Sequence, residues 1–142
     1  MSKLYIAYGS NMNLEQMTYR CKGAKVKGVG SIIGWNLVFR GNKGNAYATI
    51  EPAENKEVPV AIWKIESSDE KALDKYEDYP ELYRKENIVA ILNGGEVEAM
   101  VYIMNGKSIE KPRKRYYEII RQGYIDNGID VGILERFLEK NI

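Results

Sequence analysis

A chain of 142 residues has the size of one domain, read here as residues 1–142, and buries roughly 70% of its unfolded surface without staples. Its 21 basic and 20 acidic residues nearly cancel, which removes the electrostatic case for nucleic acid; one cysteine, Cys21, precludes an internal disulfide and fits a reducing, cytoplasmic setting. No histidine is present, which excludes Ser-His-Asp and Cys-His arrangements and histidine-ligated metal.

In chain order, Leu4-Tyr5-Ile6-Ala7 reads as a strand, and Leu14 to Arg20 as a short helix. Between them Tyr8-Gly9-Ser10-Asn11 forms a strand-to-helix turn. Such a turn aims orphan backbone N–H groups and a helix dipole at one point, which favours an anion or a developing oxyanion. A tight turn that needs Gly9, followed by ordinary capping, fits the same residues.

Gly23 to Arg40 alternates glycines with apolar and β-branched residues. Val26, Val29, Ile32 and Ile33 suggest one strand, and Trp35 to Phe39 another, with Gly34 at the bend. Gly41 to Asn45 is a turn cluster, and Ala46 to Ile50 is a strand stopped at Pro52. Glu54 to Glu57 reads as a polar loop before a strand over Val58 to Ile65, in which Pro59 argues for an edge or an early position. Ser67-x-x-Glu70 has the capping-box spacing, and Ala72, Leu73 and Tyr76 continue it as a helix that ends near Glu77, before Pro80. Tyr83 to Leu92 and Val97 to Met104 flank Asn93-Gly94-Gly95 as a hairpin. After a polar stretch from Asn105 to Arg115, Tyr116 to Ile125 is helical in pattern. Asp130 caps a last helix striped by Leu134, Phe137 and Leu138. No apolar run nears the ~18 residues of a membrane span, so no membrane partner is expected. The order points to α+β: a curved, mostly antiparallel sheet or small β-barrel with flanking helices.

Without histidine, acid–base chemistry near neutral pH falls to a carboxylate, lysine or tyrosine of shifted pKa. Glu77 stands at a helix C-terminus, where the dipole repels an anion and favours a raised pKa, although composition alone favours a solvated acidic turn with Asp74, Glu77, Asp78 and Glu81 all facing water. Eleven tyrosines supply apolar bodies with polar tips suited to a small polar pocket. Lys111 to Arg115 reads as a solvated loop, with an anionic substrate gate or a nucleic-acid contact as alternatives. Cys21 and Ser10 lack a histidine to activate them.

Seven stretches in order resemble the gamma-glutamylcyclotransferase family, with its AIG2-like and gamma-glutamylamine branches. They begin with Tyr8-Gly9-Ser10-Asn11-Met12, Trp35 to Phe39 and Ala48-Thr49-Ile50-Glu51-Pro52. Val60 to Ile65, Leu73-Asp74-Lys75-Tyr76-Glu77 with Tyr83-Arg84, Val101 to Met104, and Tyr116 to Gly123 complete the series. The resemblance implies a barrel-like α+β fold, no cofactor, and release of 5-oxoproline from a small gamma-glutamyl substrate. It further implies Glu77 as the catalytic carboxylate, Tyr8, Gly9, Ser10 and Asn11 as the glutamyl cradle, and Tyr83, Tyr102 and Tyr116 as pocket lining. A non-catalytic module that binds small carboxylic acids is the alternative on that fold, as a monomer or homodimer. Two positions depart from the family pattern: Asp78 stands where many relatives have a glycine after the glutamate, and Lys114 where some carry a proline. The half of the pocket that receives the leaving amine is expected from Gly41 to Asn45, Tyr79 to Leu82 and Asn105 to Arg115.

Overall fold

In the computed structural model, which describes residues 2–141, five strands close into a barrel. They are β1 (Lys3–Ala7), β2 (Lys25–Asn42), β3 (Asn45–Ile65), β4 (Tyr83–Leu92) and β5 (Gly95–Met104), in the order β1-β3-β2-β4-β5. Every pairing is antiparallel except the seam, where Tyr5 of β1 lies beside Met100 of β5 in parallel. Four helices flank it: α1 (Leu14–Arg20), α2 (Ser67–Tyr76), α3 (Lys114–Asp126) and α4 (Val131–Glu139). The barrel and its helices match the expected class. Alternating strand residues such as Phe39, Ile50, Val60, Ile62 and Val101 are sealed from solvent.

Several boundaries differ from the sequence reading. β2 and β3 are each continuous, where a break at Gly34, a stop at Pro52 and a loop over 54–57 were expected. Trp35 faces Pro52 and Ile33 faces Glu57, so β3 absorbs surplus residues in a bulge. Gly34 (φ 86°) and Asn55 (φ 62°) take the left-handed conformations that the bulge needs. Pro59 is not on an edge strand. It lies past the end of β1, whose Ala7 pairs with Ala61, so its missing N–H interrupts no β1 ladder.

The α2 cap is shifted by one residue. Glu66, not Ser67, occupies the cap, and Asp69 accepts the Glu66 N–H at 2.9 Å. Asp69 is buried, and its other oxygen accepts the Gly23 N–H at 3.1 Å. Glu70 is drawn away to Lys3 at 2.9 Å and Lys85 at 2.7 Å. The Asn93-Gly94 turn has both φ values positive, 53° and 79°, the type I′ geometry that the dipeptide favours.

Helix α3 fixes the turn that follows β1. A Cβ on Gly123 would stand 2.8 Å from the Asn13 nitrogen and 2.9 Å from the Met12 carbonyl carbon, so only glycine permits this approach. Asn127 Nδ2 donates to the Met12 carbonyl at 2.8 Å, and Asn13 Nδ2 to the Ile119 carbonyl at 3.0 Å. Among the described residues, no helix is long and apolar enough to cross a membrane.

Candidate active site

Residues after β1 form a single 3-10 turn, Ser10–Met12, before α1 begins. Its first bonds run from Met12 N–H to Gly9 O and from Asn13 N–H to Ser10 O, both 3.1 Å. The turn therefore gives the Ser10 and Asn11 N–H groups no internal acceptor. Asn13 caps α1 by accepting the Gln16 N–H at 3.0 Å. A Cβ on Gly9 would lie 3.2 Å from Ala48 Cβ and 3.6 Å from the Tyr116 hydroxyl, so glycine keeps the turn close against β3.

This turn forms one side of a cavity of about 250 Å³. Tyr8, Gly9, Ser10, Asn11, Glu77, Tyr83, Tyr102 and Tyr116 all face it. Tyr5, Ile6, Tyr47, Ala48, Tyr76 and Leu82 complete the wall. Of the loops expected to shape the leaving-amine half, only Leu82 contributes. Gly41 and the residue after Asn45 bind the stretch after Asn105 instead, through Gly41 N–H to Ser108 O at 2.9 Å and Ala46 N–H to Lys111 O at 3.1 Å. Within Lys111 to Arg115 the four cationic residues are exposed and none lines the cavity.

Glu77 follows the last residue of α2, and its N–H closes on Leu73 O at 2.8 Å. The side chain keeps part of its surface open to the cavity. Burial pushes its carboxyl up to about 8, against a smaller opposing pull from the Arg20 guanidinium. The raised value was expected from the helix dipole, but desolvation is the dominant cause. Asp78 is exposed, with φ 53°, and lies outside the cavity wall, so it leaves Glu77 as the wall's one carboxylate.

The tyrosine hydroxyls fall into two groups. Tyr8 donates to the Tyr102 carbonyl at 2.6 Å, Tyr83 to the Ala48 carbonyl at 2.7 Å, and Tyr102 to Asp74 Oδ1 at 2.6 Å. Their protons are committed, and their lone pairs are what they can offer a ligand. Tyr116 instead accepts the Ala48 N–H at 3.0 Å, and Tyr5 accepts from Asn11 Nδ2 at 2.8 Å, so each keeps a proton to donate. Burial holds all five phenols above the ordinary tyrosine value, so they remain neutral. Ser10 Oγ and the Tyr76 hydroxyl are 3.0 Å apart, joining the turn to the end of α2.

Cys21 is buried, 3.6 Å from the Asp69 carbonyl, and burial pushes its thiol up to about 11, which suits a structural residue. Tyr5, Tyr47, Tyr76 and Arg20 were not identified from the sequence. Tyr76, adjacent to Glu77, was readable only as an apolar helix position.

A family profile described as "Gamma-glutamyl cyclotransferase, AIG2-like" matches residues 5–124. The gamma-glutamylcyclotransferase of Homo sapiens is 28% identical over 144 residues, covering 95% of this chain and 77% of its own. That of Bos taurus is 29% identical over 137 residues, covering 90% and 73%. A solved structure titled "Gamma-glutamyl cyclotransferase" superimposes with a TM-score of 0.88 at 26% identity, covering 96% of this chain and 86% of that one.

Proposed function

The chain belongs to the gamma-glutamyl cyclotransferase, AIG2-like family and is an enzyme of that type, and we propose that it acts on a small gamma-glutamyl compound with Glu77 as general acid and base. The observation that supports this reading is the sharing of one cavity by Glu77 and the Gly9–Asn11 turn.

The reaction is intramolecular: the α-amine of the glutamyl moiety attacks its own γ-carbonyl, so the nucleophile is already held near its target. Ionised Glu77 takes a proton from the α-ammonium. The freed nitrogen bonds to the γ-carbon, and the carbonyl oxygen becomes an oxyanion. The bond to the leaving nitrogen then breaks as that nitrogen receives the proton from Glu77, and the regenerated carboxylate takes the second surplus proton from the ring nitrogen, which the released amine finally carries away as its ammonium. Products are 5-oxoproline and a free amine or amino acid. A carboxylate with a pKa near 8 is about one-tenth ionised at pH 7, and each ionised molecule is a far stronger base than an ordinary glutamate.

In this reading the Ser10 and Asn11 N–H groups and the Tyr116 hydroxyl receive anionic oxygens of the substrate. The Tyr8 and Tyr83 oxygens face the ammonium side, and Tyr102 lines the wall. One lost oxyanion donor typically raises a barrier by ~3 kcal/mol, so the turn contributes on the scale of the base itself. The test is a screen of gamma-glutamyl amino acids, gamma-glutamyl amines and glutathione for 5-oxoproline release. Turnover of at least one class is expected, and no release from any of them sinks the assignment.

A further inference from the structure

Arg20 ends α1 without lining the cavity, yet it touches two residues that do. Its Nη1 donates to Asn11 Oδ1, its Nη2 donates to Gln16 Oε1 at 3.0 Å, and its guanidinium carbon lies 3.4 Å over the Tyr76 ring. Stacking and two hydrogen bonds fix the plane of the fork. The Asn11 carbonyl accepts the Trp63 indole N–H at 3.1 Å, so the backbone behind the carboxamide is held as well.

Donor polarity passes along this chain without ambiguity. A guanidinium only donates, so the Asn11 atom facing it must be the oxygen. The atom facing Tyr5 is then the nitrogen, which also only donates, and the Tyr5 hydroxyl must accept. Its own proton points elsewhere. Among the described residues Asn11 is the single hydrogen-bond partner of that hydroxyl, and Tyr5 is part of the cavity wall. We propose that Arg20 is a positioning residue which, through the Asn11 carboxamide, makes Tyr5 a hydrogen-bond donor to an anionic oxygen of the ligand in the cavity. The identity of that ligand as a gamma-glutamyl compound or its 5-oxoproline product rests on the function proposed above; the relay does not. Without Arg20 the carboxamide is free to turn over, and Asn11 Oδ1 then captures the Tyr5 proton.

Kinetics on the best gamma-glutamyl substrate and calorimetric titration with 5-oxoproline are compared for the parent, Tyr5→Phe, Arg20→Met, Arg20→Lys and the Tyr5→Phe/Arg20→Met double variant. Tyr5→Phe keeps the ring and its edge-on packing against Tyr102, with centroids 5.9 Å apart, and should fold normally. It is expected to lose roughly 10- to 100-fold in kcat/KM, and the 5-oxoproline Kd should weaken as well. Arg20→Met should lose a similar factor, and the double variant should be no worse than the poorer single one, because the relay is already broken. Arg20→Lys presents only donors and should recover most of the loss. Tyr5→Phe within twofold of the parent in both measurements, or losses that simply multiply in the double variant, overturn the proposal. A parent that binds 5-oxoproline but turns nothing over, with the same pattern in Kd, removes the proposed function and leaves the relay standing. A parent that neither turns over nor binds removes both, since Tyr5 would have no ligand oxygen to serve.

Discussion

Two cations lie over tyrosine rings beside the cavity, and their surroundings make them opposites. Lys85 sits 4.3 Å above Tyr79, but its ammonium is bound to Glu70 at 2.7 Å and Asp74 at 2.8 Å. Burial works against its charge, and the two carboxylates more than offset this, holding its pKa above the ordinary lysine value. Among the described residues Arg20 stacks on Tyr76 and bonds only the neutral oxygens of Asn11 and Gln16. Its charge is not cancelled by a bonded carboxylate, and Glu77 feels it. Proximity to the site therefore does not decide which cation matters electrostatically; the pairing of each does. Lys85 belongs to the frame that ties α2 to β4, whereas Arg20 belongs to the field of the cavity.

The contrast can be broken at several points. Glu77→Gln should lower 5-oxoproline formation by two orders of magnitude or more, about 3 kcal/mol of barrier, while circular dichroism shows an intact fold. Turnover near the parent value would remove Glu77 from the chemistry and leave Arg20 no carboxylate to tune.

The second effect is on stability. Glu77 has a folded pKa near 8, above the ordinary 4.5, so the folded state holds its proton more tightly than the unfolded chain. Its contribution is fully present below about pH 4.5, declines as pH rises, and is gone above about 8. Glu77→Gln should remove this decline, making the variant more stable than the parent at pH 9 by about 2–4 kcal/mol in denaturant titrations. Parallel stability–pH curves for the two proteins would contradict the burial of that carboxyl.

Lys85→Met should reduce stability by about 1–2 kcal/mol, because Glu70 and Asp74 are left facing each other without their shared cation. It should leave the pH midpoint of kcat/KM unchanged. The smallest expected effect is the most discriminating. The parent's kcat/KM should rise with pH through a midpoint near 8, as Glu77 ionises, and level off about one unit higher. Arg20→Met removes the charge that favours ionised Glu77, so its midpoint should move up in pH. Arg20→Lys should stay near the parent. An equal shift from Lys85→Met would erase the distinction between the two cations.

Much of this was legible in the chain because it depends on local pattern. The Asn93-Gly94 turn, the helix over 114–126 and the Asp130 cap follow from dipeptide chemistry and periodicity. The α2 cap was misplaced by one residue because Ser67 and Glu70 satisfy the spacing as well as Glu66 and Asp69 do. What chose between them was Gly23 and Lys85, 46 and 15 residues away from the carboxylates they hold. The long β2–β3 hairpin was cut into pieces because Gly34, Pro52 and Glu54 to Glu57 carry the composition of a loop. A bulge can house such residues only when two strands already pair on both sides of it.

The sequence by itself narrowed the chemistry open to the chain: without histidine, proton transfer near neutral pH is left to a carboxylate, lysine or tyrosine, and the family resemblance of an ordered set of stretches pointed to Glu77 and the Tyr8–Asn11 turn. It also determined the order of the helices and the β4–β5 hairpin, since period and turn residues are local properties. Tertiary structure added Tyr5, Tyr47 and Tyr76 to the four tyrosines that the family resemblance implied, because the cavity draws its lining from β1, β3, α2, β4, β5 and α3. Strand alternation would set Tyr5 and Tyr8 on opposite faces, but β1 ends at Ala7 and frees Tyr8 to join Tyr5 at one cavity. Tertiary structure also set the direction of the Tyr8, Tyr83 and Tyr102 hydroxyl protons and the depth of Glu77. Those depend on which donor or acceptor the closed barrel brings within 3 Å, and residue type alone does not encode that.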